Sequence, residues 1–269
     1  MLSPGNRIGE NQTSAAISLS VAGLARLDYG SLSALPFAGA ESIKCLSIDL
    51  DNTLWDVMPT LVTAEAELEQ WLQANCPAAL VHYHPEVTTA IREELLVRYP
   101  DRAHDLSFLR RSVLEQVLQR AGADRRLADR AFDVFFAARN RVTLFDDVVP
   151  ALRRLADRYV LVALTDGNAD LGLVGLDGHF EHCVYAVSVG AAKPAAVMFA
   201  AVQRFTQLQP REILHVGDDP SKDILGAHRY GMHSAWVNRT GAAWADPDIR
   251  PDAEVEDLDM LANGLLGST

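Results

Sequence analysis

The stretch S-I-D-L-D-N-T-L-W-D, residues 47–56, decides how the rest of the chain is read. An apolar run that begins at Ile43 ends there in two carboxylates, Asp49 and Asp51, set two residues apart. Alternate residues of an extended chain point the same way, so both carboxylates can face one site at the end of a strand. Two like charges so placed repel, and the pattern therefore calls for a counter-charge.

Working outward, Ile43 to Leu50 reads as the first buried strand, and residues 1–40, rich in Ser, Gly and Ala with weak periodicity, read as an N-terminal extension. From 57 to 145 the apolar spacing changes to three and four residues, as in Leu61, Ala64, Leu68, Trp71 and Leu72 or Leu109, Val113 and Val117. Pro85, Pro100 and Gly122-Ala123-Asp124 punctuate this region into about four helices. Strand and helix then alternate: Tyr159 to Leu164, Cys183 to Val189, Ile213 to Val216 and Ser234 to Val237 are strand-like, with helical stretches at Ala195 to Phe205 and Lys222 to Tyr230. The expectation is an α/β fold, a doubly wound parallel sheet made of 41–56 and 146–269, with an inserted all-helical cap at 57–145. Ligands of open parallel sheets bind beyond the carboxyl ends of the strands, so polar residues there carry most weight.

Those strand ends read Asp49-Leu50-Asp51-Asn52-Thr53, Thr165-Asp166-Gly167-Asn168, Lys193-Pro194 and Gly217-Asp218-Asp219, with Asp223 four residues further on. Clustered carboxylates without nearby Cys or paired His select a hard cation, Mg²⁺, over zinc or copper. Such an ion offsets the repulsion and leaves positions that phosphate oxygens can fill. Lys193 supplies a second cation in a chain with only three Lys, while the Thr165 hydroxyl and the backbone N–H groups of the Asp166-Gly167 turn can donate to the same phosphate. One carboxylate would then lie in line to attack phosphorus and the other would handle the proton of the leaving oxygen.

D-L-D-N-T-L at 49–54, T-D-G-N at 165–168, Lys193-Pro194 and G-D-D-P-S-K-D at 217–223 resemble, in order, the four motifs of the haloacid dehalogenase-like hydrolases. The helical insert falls where members with a helical cap carry it. By this resemblance Asp49 is the nucleophile, Asp51 the general acid/base, and Thr165 and Lys193 the phosphate clamps. Asp49, Asp51 through its main-chain carbonyl, and Asp218 become Mg²⁺ ligands, with Asp219 and Asp223 as outer support. D-N-T-L-W-D-x-x-P at 51–59, T-D-G-N-A-D-L at 165–171 and I-L-H-V-G-D-D-P at 213–220 are similar more narrowly to bacterial phosphatases of riboflavin biosynthesis. The implied substrates are 5-amino-6-(5-phospho-D-ribitylamino)uracil and flavin mononucleotide. Asp166 departs from the family, where many members carry Asn, and a further carboxylate there either tightens the support of the site or repels phosphate.

Bulk properties narrow the partners. A net charge of −12 and a pI near 5.0 argue against a nucleic-acid backbone or an anionic membrane as partner. Residues 57–145 hold 11 Arg against 12 Asp plus Glu, so the insert is the part least repulsive to an anionic substrate. Cys45, Cys76 and Cys183 are odd in number and lack metal spacing, which fits reduced core thiols in the cytoplasm. The mildly apolar run from Ala15 to Leu27 is broken by Ser18, Ser20 and Arg26. His82-Tyr83-His84 before Pro85 reads as a loop, His215 as a packed strand residue, and Trp55 as a residue lining the site entrance. The expected ligand is a small phosphorylated metabolite and the expected activity Mg²⁺-dependent phosphate-ester hydrolysis. Three alternatives share these residues: a phosphosugar mutase, a metal-free haloacid dehalogenase, and a non-catalytic binder of phosphate ligands.

Overall fold

The computed structural model describes residues 39–246 and 248–267. Most of the expected N-terminal extension, the run from Ala15 to Leu27 included, lies outside them. From Cys45 the order is β1 (Cys45–Ile48), α1 (Val57–Asn75), α2 (Pro85–Arg98), α3 (Leu106–Arg120), α4 (Leu127–Arg139), α5 (Val148–Ala156), β2 (Val160–Thr165) and α6 (Leu171–Val174). It continues with β3 (His182–Tyr185), α7 (Ala186–Val189), α8 (Ala196–Thr206), β4 (Ile213–Gly217), α9 (Leu225–Tyr230), β5 (His233–Val237), β6 (Ala253–Val255) and α10 (Leu258–Leu266).

The strands form one sheet in the order β3-β2-β1-β4-β5-β6, and every neighbouring pair is parallel. Helices cover both faces, which is why the strand sequences are almost continuously apolar. Alternation still sorts the side chains: Leu46, Ile48, Leu161, Ala163, Leu214 and Val216 join the core on one face, while Cys45, Val162, Leu164 and Ile213 join that on the other. The order in which the chain adds strands reverses between β1 and β4, so the carboxyl ends of these two strands flank the crevice where such sheets bind ligands.

The doubly wound sheet with its helical insertion is as expected from the sequence, with two local differences. The segment Cys183 to Val189, read as one strand, is a strand only to Tyr185 and then a helical turn, closed by Gly190 at φ 84 and by the Ser188 hydroxyl donating to Tyr185 O at 2.7 Å. The short edge strand β6 escaped the reading because three residues are too few to show a period.

The insertion has a core of its own. α1 starts where the Asp56 carboxylate accepts from the Met58 N–H at 3.0 Å, and it buries Thr60, Ala64, Leu68 and Leu72, one per turn. Ile91 and Leu95 of α2, Leu109 and Leu114 of α3, and Phe132 and Phe135 of α4 pack with them. Each of the Leu, Ile and Phe side chains among them contributes roughly 1.5–3 kcal/mol by leaving water. The two strands of chain that join insertion and sheet run side by side: Trp55 bridges Leu144, and Phe145 N–H donates to Leu54 O at 3.0 Å.

Candidate active site

β1 lies between β2 and β4, so the residue that leaves its end sits at the centre of the crevice. The Asp49 N–H still bonds Val216 O at 2.9 Å, as if the strand continued, and the chain then folds back in a tight loop. Leu54 N–H reaches Leu50 O at 2.8 Å, Asn52 N–H reaches Trp55 O at 2.7 Å, and Asn52 takes a left-handed conformation at φ 63. Asn tolerates that conformation better than most residues. The buried Thr53 hydroxyl lies 3.4 Å from Asp49 Oδ2 and 3.3 Å from Asp218 Oδ1, joining the β1 and β4 loops. Trp236 Nε1 donates to Asp218 O at 2.8 Å and fixes the second loop from β5.

Lys193, expected from the sequence as a second cation, reaches the carboxylates. Lys193 Nζ donates to Asp49 Oδ1 at 2.5 Å, to Asp223 Oδ1 at 2.6 Å and to Leu164 O at 3.2 Å, in a buried position. Burial alone favours a neutral Lys193, but Asp223 and Asp49 outweigh it and hold the ammonium above its ordinary range. Burial likewise favours a neutral Asp223, yet Lys193 and the His215 hydrogen bond hold that carboxyl below the usual carboxylate range. Asp49 goes the other way: burial raises it well above the usual range against the pull of Lys193. Asp218 is raised to about 6, first by burial and then by the charge of Asp223.

Asp49, Asp218 and Asp223 each offer an oxygen, and these lie within 4.8 Å of one another. Among the described residues this is the one group of acidic, His or Cys side chains so placed; His82 and His84 form none. One lysine serves three carboxylates here, two of which are driven toward protonation, so the group has more negative charge than the protein neutralises. A hard divalent cation fits that donor set. Asp223, assigned outer support by the sequence, is thus inside the group, and the Asp51 carboxylate is outside it. Asp219 turns away: its carboxylate accepts from the Ser221 and Lys222 N–H groups at 2.9 and 3.0 Å and caps the π-helical turn after β4.

Asp51 meets three neighbours. Arg139 Nη2 lies 2.7 Å from each Asp51 oxygen, and Trp55 Nε1 donates to Asp51 Oδ1 at 2.9 Å. A Cβ on Gly167 would sit 2.5 Å from Asp51 Oδ2, so only glycine admits this approach. Trp55 is fully buried rather than lining the entrance, because its ring completes the core beneath the loop and its N–H holds Asp51. The Thr165 hydroxyl oxygen accepts from Gly167 N–H at 2.9 Å, which leaves its proton free to donate. Asp166 Oδ1 accepts from Lys193 N–H at 2.7 Å, and Asp166 lines the same cavity as Asp49 and Thr165. Burial raises its pKa, with Lys193 pulling the other way.

A cavity of about 350 Å³ is lined by Asp49, Asp51, Thr165, Lys193, Asp218 and their neighbours, so the sequence-predicted residues converge on one space. His104 and Leu106 of the insertion close its far side. A second cavity of about 420 Å³ opens among α1 to α4, with Leu61, Leu109, Val113 and Phe135 beside Thr89 and Arg92, and Asp51 lines both cavities.

Sequence reasoning missed Arg139, Ser47 and the role of His215. His215 is fully buried, its Nε2 3.2 Å from Asp223 and its Nδ1 3.1 Å from Ser47, and burial lowers its pKa. It is packed as expected, but it also orients Asp223. Polar residues paired in register on two apolar strands, Ser47 opposite His215, were the available signal. Arg139 offered none, being 88 residues from its partner.

A family model described as haloacid dehalogenase-like hydrolase matches residues 43–231. The 5-amino-6-(5-phospho-D-ribitylamino)uracil phosphatase YigB of Escherichia coli is 31% identical over 82% of this chain and 95% of its own. Phosphoserine phosphatase of Thermus thermophilus is 32% identical over 55% of this chain and 62% of its own. Among solved structures, a 2-haloacid dehalogenase from Pseudomonas syringae superposes with a TM-score of 0.80 at 39% identity, covering 83% of this chain and 98% of the other. With four motifs meeting at one crevice and the family model spanning most of the sheet and all of the insertion, the chain belongs to the haloacid dehalogenase-like hydrolases.

Proposed function

We propose that the protein is a Mg²⁺-dependent phosphatase of small phosphorylated metabolites working through an aspartyl phosphate on Asp49. The observation that carries the reading is the convergence of Asp49, Lys193, Thr165 and Asp218 on one cavity, with Asp51 at its edge. The phosphate dianion is held by the Lys193 ammonium and the Thr165 hydroxyl, the Gly167 N–H being bonded to that hydroxyl oxygen. An Asp49 oxygen attacks phosphorus; the bond to the ester oxygen breaks, its electron pair stays with that oxygen, and Asp51 supplies the proton that makes it an alcohol. Water then attacks the same phosphorus, gives a proton to Asp51, and the bond to Asp49 breaks to restore the carboxylate and release phosphate. Asp49, Asp218, Asp223 and the Asp51 carbonyl would hold a divalent ion, which would offset the clustered charge and polarise the phosphate group.

The helical insertion acts as the cap, with the domain boundaries read from the sequence, and its cavity receives the leaving group. The relative acting on 5-amino-6-(5-phospho-D-ribitylamino)uracil makes that ester, with flavin mononucleotide, the first substrate to test. Unpaired cysteines support a reducing cytoplasmic setting, and the acidic charge supports a metabolite rather than nucleic acid or membrane as partner. Among the described residues no helix is long and apolar enough to cross a membrane.

The similarity to a 2-haloacid dehalogenase favours a second reading, in which Asp49 displaces halide from carbon. Asp51 and the carboxylate group at Asp218 and Asp223 weigh against it, because that chemistry needs neither a proton donor two residues on nor a metal. Initial rates on a panel of phosphate esters and 2-haloacids, with and without Mg²⁺, for wild type and Asp49→Asn decide between them. Phosphate release that is lost in the variant and on chelation supports the phosphatase; halide release that resists chelation supports the dehalogenase.

A further inference from the structure

We propose that Arg139 is a positioning residue for the proton-transfer step: it aims the Asp51 carboxyl group, and it does so only while the helical insertion is docked on the sheet. Arg139 is the last residue of α4, at the end of the insertion, yet its side chain is 3% exposed and reaches the loop after β1. Its hydrogen-bond partner among the described residues is Asp51, approached by one nitrogen equally on both oxygens, while Nη1 is buried without a partner. A guanidinium kept for structure alone would be saturated by carbonyls and carboxylates, since an unmade buried hydrogen bond costs about 1–3 kcal/mol. Here the polar capacity that the fold uses is spent on Asp51.

The surroundings fit positioning rather than bulk stability. Trp55 Nε1 and Arg139 Nη2 hold the carboxylate from two sides, and a Cβ on Gly167 would lie 2.5 Å from Asp51 and 3.4 Å from Arg139 Nη2. The three contacts leave the group little freedom to turn. Arg139 comes from the insertion and Trp55 and Gly167 from the sheet side, so the Asp51 orientation is complete only when both parts meet. The insertion is docked next to this point by Asn140 Oδ1 accepting from Asp170 N–H at 2.7 Å and by Asn168 Nδ2 donating to Ser107 Oγ at 3.2 Å. Asp51 lines both cavities while Arg139 lines the one in the insertion, placing Arg139 where a leaving group would stand beside the acid. In the step affected, the ester bond to phosphorus breaks as Asp49 bonds to it, and the Asp51 proton passes to the departing oxygen.

The kinetic test rests on the phosphatase reading and uses leaving groups that differ in their need for a proton. Wild type, Arg139→Met, Arg139→Lys and Asp51→Asn are compared on an alkyl phosphate and on p-nitrophenyl phosphate, whose phenolate leaves without one. In Arg139→Met, kcat on the alkyl ester should fall about 10–100-fold with KM little changed, while the pre-steady-state burst of p-nitrophenolate stays within about threefold of wild type. Arg139→Lys should recover part of the alkyl rate. Unchanged alkyl turnover, or an equal loss in alkyl turnover and in the p-nitrophenolate burst, overturns the proposal. A double-mutant cycle of Arg139→Met with Asp51→Asn, read by urea unfolding, needs no activity. The double variant should unfold at the midpoint of the weaker single variant; additive shifts overturn the proposal. If wild type hydrolyses no phosphate ester, the phosphatase reading fails and the proton-transfer role with it, and the cycle then reads only whether Arg139 holds Asp51.

Discussion

Lys193→Met removes the cation on which Asp49 and Asp223 converge at 2.5 and 2.6 Å while keeping most of the buried stem volume. Deleting one partner of a buried ion pair costs about 3–5 kcal/mol, because the charge left behind is unsolvated. Two features place the loss near the lower bound. Asp49, already raised by burial, can take up a proton, and Asp223 keeps the Asp219 N–H at 3.0 Å and His215 at 3.2 Å. A loss of about 3 kcal/mol lowers the melting temperature by about 6–12 °C in a protein of this size. The loss has a pH signature. In wild type the depressed Asp223 contributes stability that is present above its unfolded value of 3.8 and is lost as pH falls through the folded value. In the variant Asp49 and Asp223 are both raised, so their penalty grows as pH rises. The gap between the proteins should therefore already be present at about pH 4, widen to its full size by about pH 8 and shrink only as pH falls well below 3.8, measured by thermal unfolding in chelator-treated buffer. An unchanged melting temperature at neutral pH, or an equal drop at both ends, refutes the idea that Lys193 neutralises this cluster.

Asp218, raised to about 6, favours the metal-free fold below its unfolded value of 3.8, an advantage lost as pH rises through about 6. Stabilisation by Mg²⁺ in a thermal-shift titration should accordingly grow from pH 5 to 7, reaching about 2.7 kcal/mol where Mg²⁺ stands at a hundredfold excess over Kd, and a flat response would contradict the assigned site. Gly167→Ala puts a methyl group 2.5 Å from Asp51 Oδ2. Its kcat on alkyl esters should fall about 10–100-fold with the circular-dichroism spectrum unchanged, and full activity would show that Asp51 need not occupy this position.

The parallel sheet was legible because burial on both faces writes strands as nearly unbroken apolar runs, and the helical insertion because its apolar spacing changes at Val57. The convergence of Asp49, Thr165 and Asp218 followed from one rule, that parallel strands deliver their carboxyl-terminal residues to a common edge, whereas Lys193 joins them from beyond the helical turn that follows β3. Contacts made across the sheet or between its two parts were not legible. Arg139 to Asp51 depends on how the insertion docks, Asp223 enters the carboxylate group because a π-helical turn swings it back toward Gly217, and Trp55 turns inward because the loop after β1 folds on itself. Such placements are set by three-dimensional closure, which neither period nor spacing encodes.

The most direct test of the account is a single turnover of a phosphate ester in heavy-oxygen water, quenched and followed by peptide mass spectrometry. Phosphoryl transfer predicts a transient phosphoryl group on the peptide containing Asp49, with solvent oxygen appearing in the released phosphate and not in that peptide. Solvent oxygen in the Asp49 carboxylate, a phosphoryl group on another residue, or undiminished turnover by Asp49→Asn contradicts it.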